Sequence, residues 1–431
     1  MNKIFKVIWN HATQSWVAVS ELQRTRGKTK SKSLSALSAA AGAVLLATNV
    51  QAASLVSDTT NVIANSDGSV VYGINNTLNA APNSTIIGME SKAQKTESVV
   101  IGHNAISNAL QGIAIGKGAK ADRVNPKKLP ASSDPTKDTA EKIYGLSNAG
   151  NATAIGTEAS ATGEASIALG HLTEAQGLSS VAIGRYVKAN HRNTVGIGLN
   201  ATAIGDSSIS IGTISNATGN FATAVGNNVN ATGYSTVAIG SSSIASDEFA
   251  IAIGNSINAT GYSSIAMGGN STASGEFAMA FGNNAFALSE GAISLGAESS
   301  VAKDSIRGIA IGIQADVRSK KGVAVGNTAY VAANSDSGLA LGDDSNAKAV
   351  KAISIGPNTN VSSANALALG SNITIANGFD ESVAIGSDSA VRKATKEVTA
   401  TVNGFTYNGF AGATKINDPN ITKCFSCFFC W

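Results

Sequence analysis

The residues best suited to chemistry lie at the end of the chain. Cys424, Cys427 and Cys430 are the three cysteines of the sequence, and their C-x-x-C-x-x-C spacing invites a metal ion. A structural zinc centre takes four ligands. Here the thiols stand among Phe425, Phe428, Phe429 and Trp431 with no fourth donor nearby, so neither a zinc site nor a disulfide framework is expected. The four histidines, His11, His103, His171 and His191, share no spacing with carboxylates that would make a base or a ligand set. Dinucleotide and phosphate-binding glycine loops are missing, and so is the calcium-binding G-G-x-G-x-D nonapeptide. The expectation is a protein without catalytic residues, metal or cofactor, and not an enzyme.

What dominates instead is repetition. An apolar triplet closed by glycine recurs at Gly88, Gly102 and Gly116, then from Gly156 through Gly170, Gly184, Gly198, Gly212, Gly226, Gly240, Gly254, Gly268, Gly282 and Gly296 in steps of 14. Gly312, Gly326, Gly342, Gly356, Gly370 and Gly386 continue it in steps of 14 or 16. A fixed period of this kind marks a stacked array. Many copies carry a second break seven residues on, commonly written A-T-G, as at Gly219, Gly233 and Gly261. An extra A-I-G closes at Gly205, half a period after Gly198.

Each copy reads as two short strands and two turns. In "STVAIG" the residues alternate, with Val237 and Ile239 on one side and Ala238 on the other. Strand, turn, strand and turn in 14 residues make one flat coil, and coils stacking at about 4.8 Å would give a rod of roughly 100 Å. The fold class expected is all-β, a parallel β-roll solenoid of 14-residue coils over residues 69–389. Both faces of the long strand are apolar. The expectation is that Val237 and Ile239 turn inward, while the alanine column (Ala168, Ala182, Ala224, Ala238, Ala252, Ala266, Ala280, Ala324) turns outward. That outward column either tolerates water or meets a neighbouring chain, small side chains allowing close approach.

The ends differ from the array. Met1 to Ala52 holds seven Lys and Arg against Glu21, then an alanine-rich apolar stretch ending Val50-Gln51-Ala52. This reads as a signal peptide over 1–52 cleaved between Ala52 and Ala53, leaving no membrane span in the mature chain, with 53–68 as a lead-in. Beyond it 24 basic residues face 27 acidic ones, which excludes a nucleic-acid footprint. At about 120–150 a segment with three prolines and many charges interrupts the period. It is expected to be a loop thrown out of the roll, either functional or merely solvated.

The opening "MNKIFKVIWNHATQSWVAVSE", with Trp9, Asn10 and Trp16 to Ser20, resembles the extended signal peptide of large autotransporters. It implies Sec export in a Gram-negative bacterium. The 14-residue spacing, the S-x-A-I-G phrase and the A-T-G half-repeat resemble the head of the YadA-like trimeric autotransporter adhesins, over about Ser69 to Ser389. The resemblance implies a left-handed β-roll, a homotrimer about a threefold axis, and a cell-surface, non-enzymatic head. That head would bind a host extracellular-matrix protein or cell-surface receptor and promote autoagglutination, as virulence-associated adhesins do.

Within that family a phrase close to N-S-V-A-I-G-x-x-S is linked to collagen, and Glu381 to Ser389 follows it except at Glu381. Ser382, Ser387 and Ser389 are therefore candidate ligand contacts, with Val383 and Ile385 expected inside. The repeat glycines Gly156, Gly170, Gly184, Gly226, Gly240, Gly254, Gly268 and Gly282 are expected to be structural. A structural or self-associating solenoid without a host ligand is the alternative reading. Residues 390–431 resemble the start of a connector toward stalk and outer-membrane anchor, and the change at "ITKCFSCFFCW" reads as either a frameshifted, truncated frame or a genuine terminus.

Overall fold

The computed structural model describes residues 68–122 and 150–392, with short strand pieces at Phe5–Asn10, Ser15–Ser20, Leu55–Val56, Val62–Ala64, Thr399–Val402 and Phe405–Asn408. The cleavage pair Ala52 and Ala53, most of the inserted segment and the three cysteines lie outside the described residues. The chain divides into two units, Met1–Ala53 and Ser54–Trp431. In the first, Phe5–Asn10 pairs antiparallel with Ser15–Ser20, setting Trp9 opposite Trp16.

The second unit is a parallel β-solenoid of about 21 turns with coils of about 14 residues. Each coil supplies one strand to each of two ladders. One ladder runs from Leu55–Val56 to Val383–Ile385 and the other from Val62–Ala64 to Thr374–Ile375, every strand pairing only with its counterparts in adjacent coils. Register is the repeat itself: Val237 faces Ile251, Ala238 faces Ala252, Ile239 faces Ile253 and Gly240 faces Gly254. The inserted segment does not break it, because Ile113–Ile115 pairs directly with Thr153–Ile155 and Lys120–Ala121 with Ser160–Ala161. Coils of 16 residues keep register too, as where Ile293 faces Ile309. Their two extra residues are taken up in the corner holding the positive-φ residues Asp304 and Arg307.

The faces of the long strand are the reverse of the sequence expectation. Ala238, Ala252, Ala266 and Ala280 are fully buried, whereas Val237 and Ile239 are only half-buried. The same inversion holds from Ala168 to Ala324. The cause is the turn length. Val237–Ser241 and Ile244–Ala245 are separated by two residues, so the two strands of a coil stay close and the space between them is filled mostly by small side chains, with an occasional Val, Ile or Leu such as Leu78, Val229 and Ile257.

Four residues per coil point inward; in one coil they are Thr236, Ala238, Ser243 and Ala245. Where a larger residue enters, a smaller one gives way. Val301, Val317 and Val331 replace alanine in the short strand, and glycines stand at 308, 322 and 338. A Cβ on Gly308 would come within 2.8 Å of Val301 Cγ1 and 3.0 Å of Val317 Cγ1. Volume is conserved locally because the interior is filled to solid density.

The repeat glycine is set by two conditions at once. Gly240 has φ of 124°, and a Cβ there would lie 1.8 Å from the carbonyl oxygen of Gly254 in the next coil. In several coils the opposite corner is closed by a hydroxyl just before the long strand: Ser180 Oγ donates to the Gly177 carbonyl at 2.7 Å and Thr236 Oγ1 to that of Gly233 at 2.9 Å. Gly240→Ala and Ala238→Leu should each destabilise the roll by about 3 kcal/mol or more, through a backbone clash and overpacking respectively. Ser242 has φ of 52°, so Ser242→Gly should stay within about 0.5 kcal/mol of the parent. Thermal denaturation followed by circular dichroism ranks the three variants.

Candidate functional site

The first candidate surface is the one the inverted alternation creates. Large apolar side chains of the long strands, mostly Val, Ile and Leu, point away from the interior and stand one above another at about 4.8 Å. Most of them, Val237, Ile239, Ile251 and Ile253 included, are half-buried, and the more open ones run from 39% at Ile167 to 49% at Ile385, with Leu295, Leu341 and Leu369 between. A stripe of aliphatic residues along the whole ladder exceeds the apolar patch that an isolated soluble chain usually shows.

The three serine candidates do not share a surface. Ser382 and Ser389 are buried at 3% exposure, and only Ser387 is open to solvent. Val383 and Ile385, expected inside, are the outward residues of that coil, and Ala384 is the buried one. Ser382 occupies the turn-closing hydroxyl column of Ser180 and Thr236, Ser389 Oγ donates to the Ile385 carbonyl at 2.8 Å, and Ser371 Oγ donates to Ser387 Oγ at 2.8 Å. Of the two buried serines, Ser389 holds the coil through its hydroxyl, whereas the Ser382 hydroxyl is enclosed without a hydrogen-bond partner among the described residues. A signal for this was present in the repeat: columns restricted to Ala, Ser, Thr and Gly are interior columns, because the interior is where size is limited.

The histidines are likewise dispersed. His103 Nε2 lies 3.5 Å from Glu90, and His171 meets the Tyr186 ring edge-on at 5.5 Å. His191 Nδ1 lies 3.4 Å from Asp206, whose second oxygen accepts from Arg192 at 2.9 Å. Among the described residues no group of three His, Cys, Asp or Glu could hold a metal. Arg318 has its pKa raised further by the hydrogen bond and charge of Asp316, and its guanidinium is fixed as a cation over the Tyr330 ring. An open groove of about 440 Å³ lies along coils 158–200, lined by Glu158, Glu174, Gln176, Tyr186, Lys188 and Asn200. It is polar and shallow, unlike the enclosed apolar sites that bury small molecules.

A second exposed feature had no counterpart in the sequence reading. Phe221, Tyr234, Phe249, Tyr262 and Phe277 form a continuous ladder on five successive coils, with ring centroids 5.5, 5.8, 5.7 and 5.6 Å apart and rings nearly perpendicular. All five are exposed, from 36% at Tyr262 to 51% at Phe277. The three phenylalanines have φ of 57–59°, a left-handed conformation costing a bulky residue about 1–2 kcal/mol. Edge-to-face pairs return about 0.5–1.5 kcal/mol each. The rings were missed because spacings of 13 and 15 hide in a period of 14.

The geometry defines a class of protein: a β-solenoid scaffold that displays surfaces along a rod and, among the described residues, gathers no catalytic cluster. Comparisons with known proteins then place it. Residues 1–49 match the Extended Signal Peptide of the Type V secretion system. Ten segments between residues 93 and 372 match the YadA head domain repeat. The trimeric autotransporter adhesin AtaA of Acinetobacter sp. (strain Tol 5) is 34% identical over 126 residues, which are 28% of this chain. The chain spans only 3% of that relative's length. The collagen-binding domain of the Yersinia adhesin YadA is similar at 26% identity over 36% of this chain and 69% of that one, with a TM-score of 0.19.

The chain belongs to the YadA-like trimeric autotransporter adhesins. It is exported through Sec and is a cell-surface protein of a Gram-negative bacterium. Its family and fold point to a non-enzymatic structural protein. For the serine phrase, Ser389→Ala should destabilise the last coil by about 1 kcal/mol through its lost buried hydrogen bond, and Ser387→Ala should be silent. Amide hydrogen exchange at residues 383–389 reads the difference.

Proposed function

We propose that this chain is the head of a surface adhesin that assembles as a homotrimer through its outward aliphatic face and attaches the bacterium to a host extracellular-matrix protein or cell-surface receptor. The observation that carries the reading is the apolar stripe itself. It runs the length of the long-strand ladder and no part of the roll covers it. Chains displayed from one cell surface all point the same way, so the symmetry axis relating them lies along the rod. A cyclic arrangement about that axis lets identical faces close on one another and leaves none exposed. Three is the number in the name of the relative AtaA, and it is carried from there.

Matrix attachment is likewise carried from relatives, one of which is described as a collagen-binding domain. A rod of roughly 100 Å offers many equivalent surfaces at its turns, a geometry suited to multivalent contact with fibrous matrix. The same multiplicity supports contact between rods on different cells, hence autoagglutination.

Sedimentation equilibrium of the purified chain should give close to three times the mass of one chain, and a stable monodisperse monomer would refute the assembly. Ile239→Asp should shift the equilibrium toward monomer, because Ile239 lies on the outward face and its carboxylate would be buried between chains, at a cost of several kcal/mol. For attachment, the chain should bind saturably to at least one of collagen, fibronectin or laminin coated on a surface. Settling of expressing cells, without binding to any matrix protein or host cell, would favour the self-associating solenoid.

A further inference from the structure

The aromatic ladder is a binding surface in search of an occupant, and its chemistry narrows the choice. Five exposed rings of 150–250 Å² each, somewhat under half exposed, present on the order of 400 Å² of continuous aromatic surface. The backbone holds it in place: the Phe249 amide donates to the Tyr234 carbonyl at 2.9 Å and the Phe277 amide to that of Tyr262 at 2.8 Å. Serine occupies the equivalent left-handed position in the alternate coils, at Ser235 and Ser263. The phenylalanines are thus not demanded by the turn.

Charge around the ladder has one sign. Between Arg192 and Lys303 the sequence contains no Lys or Arg, and its charged residues are Asp206, Asp247, Glu248, Glu276, Glu290 and Glu298. Glu248 and Glu276 immediately precede Phe249 and Phe277, and both are exposed. An anionic partner would be repelled here, and a neutral one would leave the carboxylates unused.

Spacing supplies the third constraint. Because phenylalanine and tyrosine alternate, equivalent rings recur every second coil, about 9.6 Å apart. A polyproline II helix has three residues per turn at about 3.1 Å each, so one side of it recurs every 9.3 Å or so. Prolines at every third position would meet equivalent rings turn after turn, and the whole ladder, about 19 Å long, accommodates roughly six residues. Such a helix is extended before binding and loses little entropy on aromatic grooves.

We infer that the Phe221–Phe277 ladder, with Glu248 and Glu276, binds a single extended proline-rich segment carrying Arg or Lys, held in the polyproline II conformation. The rings take the prolines and the carboxylates take the cations. This site rests on the adhesin reading only in that the head surface is displayed to partners; it differs from the aliphatic face and does not depend on which matrix protein is bound.

The test uses the purified chain and a fluorescein-labelled (Pro-Pro-Arg)4 peptide, read by fluorescence anisotropy. Binding should be saturable, weaken with salt, and fall at least tenfold in Phe249→Asn/Phe277→Asn, whose asparagines accept the left-handed backbone and should keep the parent melting temperature. Glu248→Gln/Glu276→Gln should reduce binding of that peptide while sparing the fold. Equal affinity for (Gly-Ser-Arg)4 would overturn the inference, reducing the contact to charge alone. Comparable binding of cellohexaose, lost in the same phenylalanine variant, would overturn it in favour of a neutral glycan. Failure of tetranitromethane to nitrate Tyr234 and Tyr262 in the assembled chain would overturn it in favour of a second copy covering the rings. Any of these failures would leave matrix binding by the head intact, so the two readings are separable.

Discussion

Everything in the roll follows from how little room lies between the two strands of a coil. Turns as short as the two residues between Ser241 and Ile244 hold those strands too close to fill the interior with branched side chains throughout. The interior therefore takes mainly Ala, Ser and Thr; larger residues such as Leu78, Ile257 and Ile373 enter singly, and beside Val301 and Val317 glycine at 308 gives back the space. The same closeness applies along the stack, where Gly240 sits against the carbonyl of Gly254. A core of this kind contributes little hydrophobic stabilisation per coil. Stability comes from repetition, with backbone hydrogen bonds shared between every pair of neighbours.

With small residues inside, large apolar ones are left outside. Stripes of Val, Ile and Leu turn outward along the long-strand ladder, and this is the surface through which we propose that the chains associate. In a conventional domain such residues would make the core. In the proposed trimer the larger hydrophobic gain comes from association between chains, which would tie stability to oligomerisation. The corners carry what varies from coil to coil: the ion pair of Arg192 and Asp206, the groove near Tyr186, and the aromatic ladder. A repeated backbone thus fixes the position of each corner residue, and individual side chains give each level of the rod its own chemistry.

Several of these features were legible beforehand and several were not. The 14-residue coil, its two strands and its parallel register were readable because a strict glycine spacing admits few alternatives. Which face was inside was misread, since alternation tells that Val237 and Ala238 point opposite ways and does not tell which way is in. Ser382 and Ser389 were misplaced for the same reason: hydroxyls suggest solvent, yet both face the interior, where Ser389 bonds the Ile385 carbonyl. The aromatic ladder escaped because its members alternate between two neighbouring positions in the repeat, and only stacking reveals that they touch.

By itself the sequence determined the period, the strand content, the stacking of like residues on like, and the family to which the chain belongs. These depend on local spacing and on residues that meet their own copies one coil away. Tertiary structure decided the sidedness of each strand and the neighbours at each corner. Those depend on the width of the coil and on how its turns direct the rings, quantities set by the closed loop as a whole. A column of alanines is equally consistent with a thin interior and a close interface, until the turns fix how far apart the strands must lie.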